Sequence, residues 1–113
     1  FQSTITMVKQ MALNYVEVGY NTDKILDVAA LINHLDLIIT PDTSIAHIAS
    51  AFNKPVVTIH ENNPDSFHLF APKSSLNRTV FSKSKSGIND FSVSLLLQYC
   101  VELISLKIEE EYE

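Results

Sequence analysis

Residues 40–47 read Thr-Pro-Asp-Thr-Ser-Ile-Ala-His and contain the polar side chains best placed for chemistry. They join an apolar run to a stretch with helical spacing. Asp42, Thr43 and Ser44 are all favoured at the N-cap of a helix, so a helix is predicted to begin here whichever of them caps it. The first N–H groups of a helix lack partners and carry a partial positive charge, which suits phosphate. The segment therefore predicts either an ordinary helix cap or a phosphate-binding site.

His47 lies away from the predicted core face of this helix. Apolar residues at positions 45, 48, 49 and 52 repeat at helical spacing. At 100° per residue, His47 falls about 200° from Ile45, on the opposite face. A histidine there can donate a hydrogen bond to a phosphate oxygen. It can equally be a solvated surface residue, and the sequence leaves both readings open.

Other reactive side chains form weaker patterns. His47, His60 and His68 are 13 and 8 residues apart with no cysteine nearby. This spacing is unlike that of a zinc site, so we expect no metal. Ser44 and His47 are three residues apart, and no third group is visible to orient the imidazole, so a hydrolase triad is not favoured. Cys100 lies on an apolar helical stripe and is interpreted as a small buried hydrophobe.

The surrounding elements alternate between helical and strand patterns. Helical spacing predicts helices over residues 4–13, 25–35, 43–52 and 93–104, with Thr22 or Asp23 capping the second. Apolar or β-branched runs predict strands over residues 15–18, 37–40, 55–59 and 79–81, and residues 60–77 are expected to form a long loop. Continuous apolar runs such as 37–40 are typical of strands buried on both faces.

This alternation predicts right-handed βαβ units and hence an α/β fold with a parallel sheet and flanking helices. The strands over residues 37–40 and 55–59 are expected to be adjacent central strands, with the helix over 43–52 packed across them. Ligands of such sheets bind beyond the carboxyl ends of the strands. The segments after residues 18, 40 and 59 are therefore the places to look for a site.

Composition limits the functional classes. The chain has 113 residues, of which 46% are hydrophobic and 19% charged, so we expect one packed domain. A net charge of −5 argues against a general nucleic-acid binder. The single cysteine excludes an internal disulfide framework. No run approaches the roughly 18 apolar residues that a membrane span needs.

Charge is unevenly distributed along the chain. Residues 107–113 are rich in glutamate and are predicted to form a solvated, frayed tail. Residues 66–89 contain no acid but carry Lys73, Arg78, Lys83 and Lys85. This basic stretch is either a solvated loop or a surface for an anionic lipid or acceptor.

Residues 36–59 combine an apolar strand, the turn Asp-Thr-Ser-Ile-Ala-His, an alanine-containing helix, a proline and a second apolar strand. The segment resembles the ADP-heptose:lipopolysaccharide heptosyltransferases, the family 9 glycosyltransferases. Their hallmark is Asp-Thr/Ser-Gly-x-x-His between two such strands. The predicted helix over 25–35 and the segment 87–93 resemble the family as well, so the likeness covers about residues 14–106.

The resemblance implies the GT-B architecture, in which two Rossmann-like domains enclose a donor cleft. Residues 1–113 would form a single, truncated domain with a Rossmann-like parallel sheet, most of the C-terminal half that binds the nucleotide sugar. The N-terminal domain holds the family's acceptor site and proposed catalytic base. Since that domain would be missing, the chain alone is expected to be inactive.

The implied activity is that of an inverting glycosyltransferase. It would transfer a sugar, with heptose as a candidate, from a nucleoside-diphosphate sugar such as ADP-heptose to lipopolysaccharide core or another oligosaccharide, without a separate cofactor. The implied location is the bacterial cytoplasm, at the periphery of the inner membrane. A second hypothesis is a non-catalytic Rossmann-like module that binds a nucleotide or a partner. An uncovered sheet edge would also favour self-association of the truncated piece.

The family motif assigns roles to the matching residues of this chain. The resemblance places the backbone of Thr43, Ser44 and Ile45 against the donor diphosphate. It places His47 on the diphosphate as well, and Asp42 on the sugar hydroxyls.

Two departures from the family pattern concern the donor pocket. Ser44 stands where the family usually has glycine, which would be strained if the backbone needed a positive φ. The segment His60, Glu61 and Asn62 replaces the Gly-Pro-Thr of many members and is a candidate pocket loop, which leaves the identity of the donor open. The same predicted loop contains three further ring-bearing side chains, Phe67, His68 and Phe70. They either pack against the sheet or line the sugar pocket.

Overall fold

A computed structural model describes residues 2–19 and 23–112. In these residues the helices are α1 (Gln2–Met11), α2 (Ile25–Asn33), α3 (Thr43–Ala51), α4 (Pro64–Phe70) and α5 (Val93–Glu111), and the strands are β1 (Ile38–Thr40), β2 (Val56–His60) and β3 (Asn77–Phe81). The strands form one sheet in the order β1-β2-β3, and both pairs are parallel. This confirms the predicted α/β fold, a Rossmann-like parallel sheet with flanking helices.

Helices cover both faces of the sheet because successive side chains of its middle strand point to opposite sides. On one face, Val56 packs with Ala49 of α3 and with the apolar side of α2. On the other face, Val57 packs with Cys100 and Leu103 of α5. Cys100 is buried, as predicted, and this burial raises the pKa of its thiol.

β1 is covered on one face only. Ile38 is buried, whereas Ile39, whose side chain points to the other face, is 49% exposed. The reason is that α5 lies mainly over β2 and β3. The prediction of strands buried on both faces is therefore right for β2 and wrong for β1. Within the described residues β1 is also an edge strand, although it is adjacent to β2 as predicted.

Residues 15–18 do not form the predicted strand. Tyr15 is 99% exposed, and Val16 donates its N–H to the carbonyl of Leu13 at 3.4 Å in a local turn. β-Branched residues favour a strand where a neighbouring strand pairs with them and one face is covered. None of the described strands pairs with this segment. α1 ends before the predicted boundary because Ala12 takes a positive φ of 49°.

α2 begins without a side-chain cap. Its N-cap is Lys24, whose side chain makes no capping hydrogen bond, so the predicted cap by Asp23 is wrong. A capping side chain accepts from the first N–H groups of the helix when it stands at the N-cap position. Asp23 stands one residue before that position. The alternative cap, Thr22, lies outside the described residues. Apolar contacts of Val28 and Ile32 with the core hold α2 in place.

The predicted loop over residues 60–77 contains a helix, α4. Asn63 caps it by accepting a hydrogen bond from the Ser66 N–H at 3.3 Å, and Pro64 fits the first helical position. The prediction was wrong because proline was interpreted only as a loop residue. Further along, Arg78 of the basic stretch lies in β3 and pairs with Glu102 of α5 at 3.4 Å.

The acidic end of the chain continues α5. The helix runs to Glu111, and the side chains of Glu109, Glu110 and Glu111 are exposed, so this run is solvated as predicted. Fraying of the tail stays a prediction, and Glu113 lies outside the described residues. Across the described parts of the chain, every helix is too short or too polar to cross a membrane.

Candidate functional site

The carboxyl ends of β1 and β2 lie side by side at one edge of the sheet. The two strands are parallel, and Thr40 is the register partner of Thr58. The turn that follows β1 and the turn that follows β2 therefore open at the same edge. Open parallel sheets bind their ligands at this edge.

Two depressions open at this edge. The larger has a volume of about 250 Å³ and is lined by Pro41, Thr43, Ile59, His60, Glu61, Ser66 and Ile88. A smaller one shares four of these residues and adds Asp42, Ala46, Thr58, Phe67 and Pro72. Thr43 and His60 are the two polar residues that line both depressions. They define the centre of the candidate site.

The start of α3 is fixed by hydrogen bonds of Asp42. Its Oδ1 accepts from the Ser44 N–H at 2.7 Å and from the Ile45 N–H at 3.3 Å. Its own N–H donates to Oγ1 of Thr40 at 3.0 Å, which holds the turn against the end of β1. The predicted helix start within residues 42–44 is confirmed, and Asp42 is the residue that caps.

This cap limits which N–H groups remain for a phosphate. Both Ser44 and Ile45 already donate to Asp42, although the family motif assigns their backbone to the diphosphate. In the part of the chain that the structure describes, the N–H of Thr43 has no acceptor. Thr43 also lines both depressions. Of the three predicted backbone donors, Thr43 is therefore the one that is free for a ligand.

Ser44 takes an ordinary helical conformation. The described non-glycine residues with a positive φ are Ala12 and Asn53, so the replacement of the family's glycine by Ser44 causes no backbone strain. Its side chain is exposed beside the cap.

His47 lies on the outer face of α3. Its side chain is exposed, whereas Ala46 and Ala49 of the same helix are buried, as the helical spacing predicts. His47, Ser44 and Ile45 are absent from the described lining of both depressions. A donor contact of His47 stays a prediction and requires a ligand that extends past the N-terminus of α3.

His60 has a fixed ring at the end of β2. Its Nδ1 lies 2.8 Å from the carbonyl oxygen of Glu61. Because a carbonyl oxygen only accepts, Nδ1 carries the hydrogen, and Nε2 of the neutral ring is an acceptor. Edge-on contacts with Phe67, at 5.5 Å between ring centroids, and with Phe81, at 6.3 Å, orient the ring. The ring of His60 therefore has one defined acceptor, Nε2, and the residue lines both depressions.

Glu61 connects the segment that follows β2 to the loop between β3 and α5, and both border the larger depression. Its Oε2 accepts a hydrogen bond from the N–H of Gly87 at 3.2 Å. Gly87 has a φ of 98°, a conformation that glycine adopts without a steric penalty. The N–H of Asn62 donates to the carbonyl of Ser84 at 2.8 Å, but its exposed side chain is not part of the described lining. The predicted pocket loop thus supplies His60 and Glu61 to the lining.

Phe67 both packs against the end of the sheet and lines the smaller depression, so the two alternatives for it are compatible. His68 is exposed, and the side chain of Phe70 lies outside what the structure describes. The sequence did not indicate Ser66 or Ile88 as lining residues. The Asn-Pro helix start could have placed Ser66 in the first turn of α4, whereas nothing local distinguishes Ile88.

Within residues 2–19 and 23–112, no group of three His, Cys, Asp or Glu side chains could hold a metal ion.

A comparison with protein families matches residues 9–92 to the model described as Glycosyltransferase family 9 (heptosyltransferase). The match includes all residues of the candidate site. No curated protein and no solved structure matches the chain.

Proposed function

The chain belongs to glycosyltransferase family 9, and we propose that the carboxyl edge of β1 and β2 binds the nucleoside-diphosphate sugar from which a sugar is transferred. One observation carries this proposal: Thr43, whose N–H is free at the N-terminus of α3, and His60, whose ring has a fixed acceptor, line the same depression. The first group suits an anionic diphosphate and the second suits a hydroxyl of the sugar.

The diphosphate binds beside the cap of α3. The N–H and hydroxyl of Thr43 donate to it, and the partial positive charge at the helix start attracts it. The N–H groups of Ser44 and Ile45 reach the ligand only if Asp42 releases them. His47 donates to the distal part of the diphosphate from the outer face of α3.

Asp42 has a second role toward the sugar. Oδ1 holds the helix cap, and Oδ2 has no hydrogen bond within the described residues. A carboxylate oxygen accepts a hydrogen bond from a sugar hydroxyl. Asp42 and His60 are thus two acceptors that line the smaller depression together with Thr43, as a ligand with several hydroxyls requires.

In the transfer step, the hydroxyl of an acceptor attacks the anomeric carbon, the bond from that carbon to the diphosphate oxygen breaks, and a base takes the hydroxyl proton. Attack on the face opposite the leaving group inverts the configuration. Negative charge grows on the departing diphosphate, and the α3 terminus at Thr43 stabilises it. We propose lipopolysaccharide core or a related oligosaccharide as the acceptor, heptose as the sugar and ADP-heptose as a candidate donor, at the cytoplasmic side of a bacterial inner membrane.

The base and the acceptor site belong to the other domain of the GT-B architecture in this proposal. A pocket for a small molecule usually has about 300–1,000 Å³, and the larger depression has about 250 Å³. Its small volume supports a role as one wall of a cleft. The chain by itself is expected to bind the donor without transferring its sugar.

The second candidate is a non-catalytic module that binds a nucleotide. The His60–Asn62 segment, which departs from the family's Gly-Pro-Thr, favours it. The two candidates differ in the part of the ligand that they bind. An enzyme must bind the sugar as well as the nucleotide, whereas a nucleotide module binds the nucleotide alone.

Isothermal titration of the chain with ADP, ADP-glucose and ADP-heptose, and with the corresponding uridine and guanosine compounds, tests the proposal. We expect a sugar ester to bind more tightly than its nucleoside diphosphate, because Asp42 and His60 contact the sugar. Asp42→Asn keeps a good N-cap but removes the carboxylate, so it should reduce that preference to the part that His60 contributes. Equal affinity for the diphosphate and its sugar ester supports the nucleotide module, and no binding of any of these compounds contradicts both.

A further inference from the structure

α5 is apolar on two adjoining faces. One face packs against the sheet through Tyr99, Cys100 and Leu103. The other carries an outer stripe of large apolar residues that are 45–65% exposed: Val93, Leu97, Val101, Ile104 and Ile108. At 100° per residue the outer stripe spans about 80°, and its centre lies roughly 115° from the centre of these three buried residues. The stripe therefore adjoins the buried face, and its side chains stay about half exposed because the sheet does not cover them.

Such a helix needs a second partner. The apolar surface of α5 is broader than the stripe that one contact with a sheet buries, although Gln98, Glu102 and Ser105 keep one side of the helix polar. From Leu97 onward the outer stripe has the alternating four- and three-residue spacing that forms the seam of paired helices. The family match ends at residue 92, so the stripe lies outside the segment that carries the proposed function. Its explanation is independent of donor binding.

The order of apolar residues along the outer stripe is nearly the same in both directions of the helix. About the midpoint between Glu102 and Leu103, Val101 is symmetric with Ile104, and Leu97 is symmetric with Ile108. Val93 is symmetric with Tyr112, which follows α5 and is 85% exposed. An antiparallel second copy therefore brings an apolar side chain against an apolar side chain at every level. This is the pattern that a two-fold axis demands of an interface.

Charge selects the same orientation. The first nine residues of α5 carry no charge, whereas its last turn contains Glu109, Glu110 and Glu111. Glu111 lies at the rim of the outer stripe and is symmetric with Ser94 in the first turn. An antiparallel pair places each Glu111 near a helix N-terminus, where an acid is stabilised. A parallel pair would place like charges opposite each other.

We propose that the outer stripe of α5 is the interface of a homodimer in which the α5 helices of two copies pack antiparallel around a two-fold axis. The seam is about 28 Å long at 1.5 Å per residue. One helix pair of this length buries less surface than the 1,200–2,000 Å² of a standard interface. The dimer is therefore weak and depends on protein concentration.

Sedimentation equilibrium of the native chain over a wide concentration range measures the dissociation constant. Val101→Glu puts two charges at the centre of the seam and should raise that constant by about tenfold or more. Leu26→Glu on α2 is the matched control, because Leu26 is a 76% exposed apolar residue outside the outer stripe and receives the same charge. It should leave the constant unchanged. Circular dichroism checks that both variants keep the native fold, which the exposure of both sites favours.

Ser94→Lys tests the orientation. In the antiparallel pair the new lysine lies near Glu111 of the second copy, so the dissociation constant should fall, and added salt should remove the gain. In a parallel pair two lysines would face each other and weaken the dimer. The proposal is overturned by a native chain that stays monomeric up to its solubility limit, by Val101→Glu with native association, by equal losses in Val101→Glu and Leu26→Glu, or by weaker association of Ser94→Lys.

Discussion

α3 and α4 begin at the same edge of the sheet, and each has an Asx residue at its N-cap, Asp42 in α3 and Asn63 in α4. They differ at the first helical residue. Thr43 has an N–H without an acceptor among the described residues, whereas Pro64 has no N–H at all. Two helix starts with the same kind of cap therefore differ in whether the first helical residue offers an N–H to an anion.

The difference separates two functions of a helix N-terminus. A side-chain cap satisfies N–H groups of the first turn and fixes the helix start: Asp42 accepts from two of them and Asn63 from one. The first helical residue then decides whether a donor remains for a ligand. α3 provides both functions, with Thr43 as the first residue. In α4 the first residue, Pro64, provides no donor, and the next N–H, which has no acceptor among the described residues, belongs to Asp65, whose own carboxylate repels an anion. Both helices also carry an exposed histidine as their fifth residue, His47 in α3 and His68 in α4, so each has a matched control in the other.

The largest expected effect separates these two histidines. His47→Ala should weaken binding of the diphosphate about ten- to a hundredfold, since a hydrogen bond to a charged group contributes about 1.5–3 kcal/mol. His68→Ala should leave the affinity unchanged. Both variants should keep the native melting temperature because both side chains are exposed. Equal affinities in the two variants, or a joint loss of stability and affinity in His47→Ala, would show that His47 does not bind the donor.

The caps themselves should differ in stability. Asp42→Ala removes two hydrogen bonds, one of them at 2.7 Å, and should lower the free energy of unfolding by about 0.5–2 kcal/mol. Asn63→Ala removes one bond at 3.3 Å and should cost less. Urea denaturation of the two variants measures the difference. A cost for Asn63→Ala that equals or exceeds that for Asp42→Ala would contradict the assignment of the stronger cap to α3.

Two substitutions test the two ring nitrogens of His60 separately. His60→Gln places an amide near the position of Nε2, and His60→Asn places one near Nδ1, which donates to the Glu61 carbonyl. If Nε2 accepts from the sugar, the glutamine variant should bind the sugar nucleotide better than the asparagine variant by a few-fold, as a neutral hydrogen bond of about 0.5–1.5 kcal/mol implies. Better binding by the asparagine variant would show that His60 acts on the loop and not on the ligand.

The smallest effect concerns Ser44. Because its backbone is helical, Ser44→Gly should relieve no strain. It should lower the free energy of unfolding by up to about 0.5 kcal/mol, since glycine has the lower helix propensity. Donor affinity should not change. A gain in stability on restoring the family's glycine would show that the turn at Ser44 is strained after all.

The sequence predicted the parts of the fold that depend on local apolar pattern. The helical stripe after residue 44 and the continuous apolar run in β2 located α3, β2 and their parallel packing. The pattern was wrong where coverage depends on distant elements. Ile39 is as apolar as Val57, but α5 covers Val57 and leaves Ile39 half exposed. No local pattern in β1 contains that information.

The candidate site divides in the same way. A short run of cap residues after an apolar strand predicted the start of α3, and Asp42 is its cap. The run could not show that one carboxylate oxygen occupies the N–H groups of both Ser44 and Ile45, because this depends on a side-chain conformation. Ile88 was missed because it reaches the site through the bond between Glu61 and Gly87, 26 residues apart in the chain.

The account rests on the free N–H of Thr43, and two variants of this residue test it directly. Thr43→Ala removes the hydroxyl and keeps the N–H. Thr43→Pro removes the N–H as well and makes the first residue of α3 equivalent to Pro64 of α4. Proline is well tolerated at this position, and the extended backbone of Asp42, with ψ of 124°, is compatible with a following proline.

Titration of both variants with the nucleoside diphosphate that the native chain binds compares their affinities, and urea denaturation controls for folding. We predict similar free energies of unfolding and an affinity about ten- to a hundredfold lower for Thr43→Pro than for Thr43→Ala. Equal affinities for two equally stable variants would contradict the assignment of the diphosphate to the N-terminus of α3.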